Sequence, residues 1–172
     1  MNLPTGPLRA PAALGAAAVA LAGFAVLAHQ KADALRGGAA VRNVALTDNA
    51  RTSEVKGAVT QIVNGVFSYA YTDPARTAAA VKASLTGAAT GQYAALFAKV
   101  GQQGPARKLV LTTTVTDSAV TSLRGDRAHL IVYADQRSTG AADGRTAYAA
   151  ALLTVDAVRT GGHWKIASLR TF

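Results

Sequence analysis

Residues 12 to 28, Ala-Ala-Leu-Gly-Ala-Ala-Ala-Val-Ala-Leu-Ala-Gly-Phe-Ala-Val-Leu-Ala, carry no charged and no strongly polar side chain. The run begins just after Pro11 and stops at His29-Gln30-Lys31. A helix satisfies its own backbone hydrogen bonds, so such a segment sits in lipid at little cost. At about 1.5 Å per residue it reaches roughly 25 Å, the short end of what crosses a bilayer. The reading is a short tail at 1–11, a transmembrane anchor at 12–30, a polar helical stalk at 31–50 and one α+β domain at 51–172. Two other readings compete. One is a cleaved signal peptide, with Arg9 as its charged start and Val26-Leu27-Ala28 as its cleavage site; the run exceeds the usual apolar region of about 7–15 residues. The other is a buried Ala-rich helix. No second apolar stretch matches this one, so the expected topology is single-pass in a cell membrane. Long domains translocate largely regardless of charge, which favours a C-terminal domain outside the cytoplasm.

Composition narrows the chemistry. The chain has no cysteine, which removes disulfides, thiolate zinc sites and thiol nucleophiles. Half of the residues are hydrophobic but only 6% are aromatic, so the core is built from small side chains. The net charge is +9, from 18 basic and 9 acidic residues, yet the basic residues are dispersed and the densest pair is Arg107-Lys108. No aromatic-interleaved basic patch, glycine-rich phosphate loop or helix-turn-helix pattern accompanies them, which argues against nucleic acid as a partner. Between Arg76 and Lys108 there are basic residues and no acidic one. Such a face suits anionic headgroups beside a membrane, or is a solvated helix surface.

After the stalk, weakened at Gly37-Gly38, a helix is expected from Thr52 or Ser53 to Tyr69 or Tyr71, with Val55, Val59, Ile62, Val63, Val66 and Phe67 at helical spacing. Asp73-Pro74 caps a second helix that runs to Leu85 and closes on Thr86-Gly87. A third, around Gly91 to Val100, carries Tyr93, Leu96, Phe97 and Val100 on one face. The period then changes. Leu109 to Leu123, Ala128 to Gln136, Thr146 to Val158 and His163 to Phe172 read as four strands, separated by turns at Arg124–Arg127 and Arg159–Gly162 and by a polar loop at 137–144. The second strand is apolar on both faces and should be central. Helices followed by an antiparallel meander give an α+β domain, with about three helices on one face of a curved four-stranded sheet.

The order of Leu85-Thr86-Gly87, the Tyr93 helix, Val132-Tyr133-Ala134-Asp135-Gln136 and Gly162-His163-Trp164-Lys165-Ile166 behind an apolar anchor resembles the actinobacterial Mce-associated membrane proteins. These are single-pass accessory proteins of Mce-type lipid transport in the cell envelope. The resemblance implies a cone of the nuclear-transport-factor-2-like class, a fold also used by an inner-membrane scaffold of type IV secretion. It implies a non-catalytic role in assembling or stabilising a lipid import complex. Other subunits of that complex would be its partners, homo-oligomers are left open, and no cofactor is required. The competing functions are a small-ligand enzyme or binding protein in the same cone, and a conjugation or type IV secretion scaffold.

The residues themselves offer little catalysis. His29 flanks the anchor and His163 flanks a turn. His129 alternates with Ile131, Tyr133 and Asp135 along one strand face, a row that can line a pocket, and histidine titrates near neutrality. His129 and Asp135 lie about 20 Å apart along a strand, too far to meet. Asp73 has a capping role, Asp126 sits in a turn, and Asp117 and Asp156 are placed to end or kink strands. No carboxylate pair or metal-ligand cluster is evident, so catalytic, cofactor and metal residues are all read as none. Trp164, the one tryptophan, reads first as a core residue and second as a partner-facing anchor, since tryptophan is frequent at binding hot spots. Trp164, Tyr133 and His129 are the candidate partner or pocket contacts.

Overall fold

Four valines set the first helix. In α1 (Asn49–Val66), Val55, Val59, Val63 and Val66 recur on one stripe and are fully buried. A β-branched residue costs a helix no more than about 0.7 kcal/mol against alanine. Burying a valine side chain contributes about 1.5–3 kcal/mol, so packing overrides propensity along this stripe. The computed structural model describes residues 42–172, and the anchor and the stalk up to residue 41 lie outside the described residues. Among the described residues no helix is long and apolar enough to cross a membrane. The compact unit runs from Asn43 to Phe172.

Ahead of α1, residues 45–47 form a turn where the expected stalk would be helical. The Asn43 side chain accepts from the N–H groups of Ala45 and Leu123 and donates to the Thr121 carbonyl. That pins this segment to the sheet in place of a helix. Asp48 then caps α1 by accepting from the Arg51 N–H at 3.0 Å. Thr52, an expected cap, instead donates its hydroxyl to the Ala45 carbonyl.

The sheet has five strands, not four. Strand β1 (Tyr69–Ala70) pairs antiparallel with β2, Tyr69 opposite Leu111 and Ala70 opposite Val110. The expected helix ran through these residues. It stops earlier because buried Thr113 donates its hydroxyl to the Phe67 carbonyl at 2.7 Å, while the Ser68 hydroxyl accepts from the Thr113 N–H. These bonds draw the chain alongside β2.

Helix α2 (Pro74–Ser84) begins as expected, with Asp73 accepting from the Arg76 N–H and proline at the first position. Its end differs. Leu85 is extended and bridges in parallel to Ile166, and Thr86 donates its N–H to the Ile166 carbonyl. Gly87, at φ +55°, serves as the N-cap of α3 (Ala88–Gln103) and not as a C-cap of α2. A side chain there would be strained and would also crowd the Ala167 carbonyl at 3.3 Å.

Strands β2 (Leu109–Arg124), β3 (Arg127–Gly140), β4 (Thr146–Thr160) and β5 (His163–Thr171) form an antiparallel meander in the order β1-β2-β3-β4-β5, with β3 in the middle. Register shifts occur between Val115 and Asp117, between Val120 and Ser122, and between Asp156 and Ala157. An extra residue bends a strand and increases its twist. Asp117 and Asp156 therefore stand where the strands kink. Two side-chain amides tie helices to the sheet backbone: Asn64 accepts from the Val115 N–H and Gln92 from the Leu169 N–H, both at 2.8 Å. The inner face, with Leu123, Leu130, Val132, Val155 and Ile166 fully buried, closes on the α1 valines. Phe67, Tyr93 and Phe97 extend the core, with the Tyr93 and Phe97 rings stacked at 4.9 Å.

This core lies wholly within the described residues. A chain trimmed to residues 31–172 is therefore expected to be soluble without detergent and to give a mixed α and β circular dichroism spectrum. A disordered spectrum, or recovery only in detergent, would refute this.

Candidate functional site

Three places bring chemically capable side chains together: the interior of the cone, the outer face of the sheet and the surroundings of Trp164. Between α3 and the concave sheet face lies a cavity of about 180 Å³, lined by Phe67, Phe97, Leu111 and Leu153 among others. Its polar side chains are Thr113, Gln136 and Thr171. The Gln136 amide donates to the Thr113 hydroxyl at 3.1 Å, which in turn donates to the Phe67 carbonyl. No residue lining this cavity ionises. General acid or base catalysis requires a titratable group within hydrogen-bond reach of the substrate, and this interior supplies none. The volume also falls below the roughly 300–1,000 Å³ of typical ligand pockets. Tyr93 lies nearby, and burial raises its phenol above the ordinary tyrosine range.

The row His129, Ile131, Tyr133 and Asp135 shares a strand face as the alternation requires, but that face is the outer one, away from the helices. Tyr133 is about half exposed. His129 and Asp135 do not meet. His129 faces Asp156 across the β3–β4 ladder, and its Nδ1 lies 2.5 Å from Asp156 Oδ1. Asp156 was missed as a partner because only strand register brings residues 27 positions apart side by side. The register extends the row, with Ser122 opposite His129 on β2 and Ser168 opposite Asp156 on β5.

A serine, a histidine and an aspartate on adjacent strands bring nucleophilic catalysis to mind, and the geometry decides against it. In a working triad the serine hydroxyl is hydrogen-bonded to the histidine nitrogen opposite the aspartate. Among the described residues the imidazole makes one side-chain hydrogen bond, to Asp156. The His129 and Asp156 side chains are 38% and 46% exposed, so water competes for both. A pair this exposed contributes about 0–1 kcal/mol. It fastens β3 to β4. Among the described residues no group of three or more His, Cys, Asp or Glu side chains is placed to hold a metal ion.

Trp164 is 6% exposed and belongs to the core cluster. Its indole N–H donates to Glu54 Oε1 on α1 at 3.2 Å, and Arg159 Nη2 lies 3.2 Å from the same oxygen. An aromatic ring thus fills the seam between α1 and β5 while its one polar atom reaches a partner at the surface. The helical spacing of α1 had no means of marking Glu54 for this role. His163 beside it is exposed.

No family model matches the chain, and no curated protein matches it. Solved structures do. A periplasmic fragment of TraM aligns over 70% of this chain and 96% of its own length, with a TM-score of 0.63 at 8% identity. An IcmL-like type IV secretion system protein from Legionella pneumophila aligns over 70% and 91%, with a TM-score of 0.61 at 7% identity. CagV, a VirB8 homolog of the type IV secretion system of Helicobacter pylori, aligns over 69% and 96%, with a TM-score of 0.56 at 11% identity. At such identities the likeness is one of fold. It gives this chain the α+β fold of these domains, helices packed on an antiparallel sheet, and none of the three is a Mce-associated protein.

Proposed function

We propose that this chain is a non-catalytic scaffold subunit of a conjugation or type IV secretion apparatus, anchored by the segment 12–30 with its C-terminal domain outside the cytoplasm. One observation carries the reading: its domain has the fold of solved secretion-system and periplasmic domains over 91–96% of their own length. The cavity beneath α3, whose lining holds no ionisable side chain, supports a role in assembly over one in chemistry. A scaffold that binds only its folded partners stabilises them by mass action.

The test is cross-linking of the tagged full-length protein in its native membranes, followed by identification of the proteins that co-purify. Mating-channel subunits or a coupling ATPase support the reading. Mce-type substrate proteins and their permeases would move the chain to lipid import, as the sequence motifs suggested. In a deletion strain, partner subunits should fall in abundance and transfer should fail. The His129→Gln protein, which keeps most of the volume and loses the imidazole, should restore both to wild-type levels. A folded His129→Gln protein that leaves the partners abundant but abolishes activity would contradict the scaffold and point to an enzyme.

A further inference from the structure

Helices α2 and α3 are joined by the short Leu85-Thr86-Gly87 link, yet they pack mainly elsewhere: α2 on α1 and β5, α3 on β5. The gap between them is an open trough of about 510 Å³. Thr77, Val81, Tyr93 and Phe97 lie along it, with the exposed Ala78 and Ala94 on its walls. Apolar surface of this kind, left open and rimmed by polar residues, marks an interaction site. From Pro74 to Lys82 the α2 side of the trough rises about 12 Å, roughly two turns of a docked helix.

Charge says what kind of helix. Lys82 lines the trough itself. From Pro74 to Thr116 the sequence holds Arg76, Lys82, Lys99, Arg107 and Lys108 and no acidic residue. Helix α3 starts near the Lys82 end; its N-cap, Gly87, offers no side-chain acceptor, and its first turn has no acidic residue. The first N–H groups of a helix and its dipole favour negative charge. The occupant must therefore bring carboxylates that this chain does not supply. Residues 1–41 contain one acidic residue, Asp33, and a second copy would bring another +9. A bilayer surface is featureless, whereas this apolar strip runs between two helices and is about two helical turns long.

We propose that the α2–α3 trough is the docking groove for an acidic amphipathic helix of another subunit, its apolar stripe seated on Ala78, Val81, Ala94 and Phe97 and its acidic end at Lys82. This rests on the scaffold reading and names the surface that reading requires. Helix-in-groove recognition reads apolar anchors at i, i+3, i+4 and i+7, and the rim charge sets orientation and encounter rate.

The probe is a displayed library of 14-residue helices, randomised in charge and in apolar spacing, selected against the full-length chain in zwitterionic nanodiscs. Enriched clones should carry net negative charge and one apolar stripe, and fluorescence anisotropy should give them micromolar affinity. Ala94→Trp fills the trough and should weaken binding at least tenfold. Lys82→Glu should do the same and shift preference towards charge-reversed peptides, both variants keeping the wild-type circular dichroism. A third variant, Ala78→Trp, fills the trough from the other wall if Ala94→Trp fails to fold. No enrichment, enrichment without a charge bias, or binders indifferent to all three substitutions would overturn the proposal. Binding found only on vesicles containing phosphatidylglycerol, and lost in the same variants, would assign the surface to the membrane and overturn it as well. If the trough fails while secretion subunits still co-purify, the scaffold reading stands without it.

Discussion

Replacing Trp164 with alanine is expected to lower the stability of the domain by about 3–5 kcal/mol, the usual range for deleting a large aromatic side chain from a core. The ring is almost fully enclosed where α1 meets β5, and α1 does not move inward to fill the space because its own valines are already seated against the sheet. For a domain of this size the loss corresponds to a fall of about 10–20 °C in the thermal midpoint. Trp164→Phe separates the two parts of the effect. It keeps most of the apolar volume and removes the N–H that reaches Glu54, and Glu54 retains Arg159 and solvent. Its cost should be nearer 1–2 kcal/mol. Thermal and urea unfolding of the three proteins measures both steps. An alanine variant within about 1 kcal/mol of the wild type would mean that Trp164 is not a core residue in solution and would restore it as a candidate partner contact.

The second large effect is expected at Gly104, immediately after α3. Its backbone is helical, at φ −56° and ψ −47°, so an alanine meets no conformational objection. The obstacle is space. An added Cβ would lie 2.5 Å from the Val100 carbonyl oxygen and 2.7 Å from Cε1 of Tyr69. The first contact is backbone, and the tyrosine ring is itself buried, so neither yields at low cost. The turn is also tightly bonded: Gly104 donates its N–H to the Val100 carbonyl, and its own carbonyl accepts from the Leu109 N–H where β2 begins. Gly104→Ala should cost about 3 kcal/mol, the upper part of the range for overpacking. Gly101→Ala makes the control, because a Cβ there meets nothing within 4 Å, and it should be neutral or slightly stabilising. Equal stabilities for the two variants would refute the account.

What the sequence revealed and what it concealed divide along physical lines. The turns at Gly125 and at Gly161-Gly162, the Asp73-Pro74 helix start, the central β3 strand and the kinks at Asp117 and Asp156 all follow from local chemistry, and each is visible within a few residues. Strand β1 was hidden because two residues have no period to read, and because its formation depends on Ser68 and Thr113, 45 positions apart. Asp48 does not stand out as a cap because Thr52 and Ser53 are capping types as well, and only the fold employs Thr52 on Ala45 instead. Gly87 reads from sequence as the end of α2 because a glycine between two helices fits either end, whereas it caps α3. The candidate site fared similarly. The shared face of His129, Tyr133 and Asp135 was legible from alternation, whereas its outward direction, the Asp156 partner and the burial of Trp164 depend on register and on which sheet face the helices cover.

The fastening of Asn43 has a mechanical consequence. Any tension on the chain from residues before 43 reaches the domain through the bonds that Asn43 and Val44 make near the end of β2. These run from Asn43 to Thr121 and Leu123, with the Val44 N–H on the Leu123 carbonyl. They stand ahead of the Asp48 cap and ahead of the α1 valines in the line of force. A pull therefore loads this clasp first, together with Val44 and Ala45, which pack with the core, and reaches the α1 valines only after them. Under strain, a domain built this way yields at its N-terminal edge before its sheet is loaded.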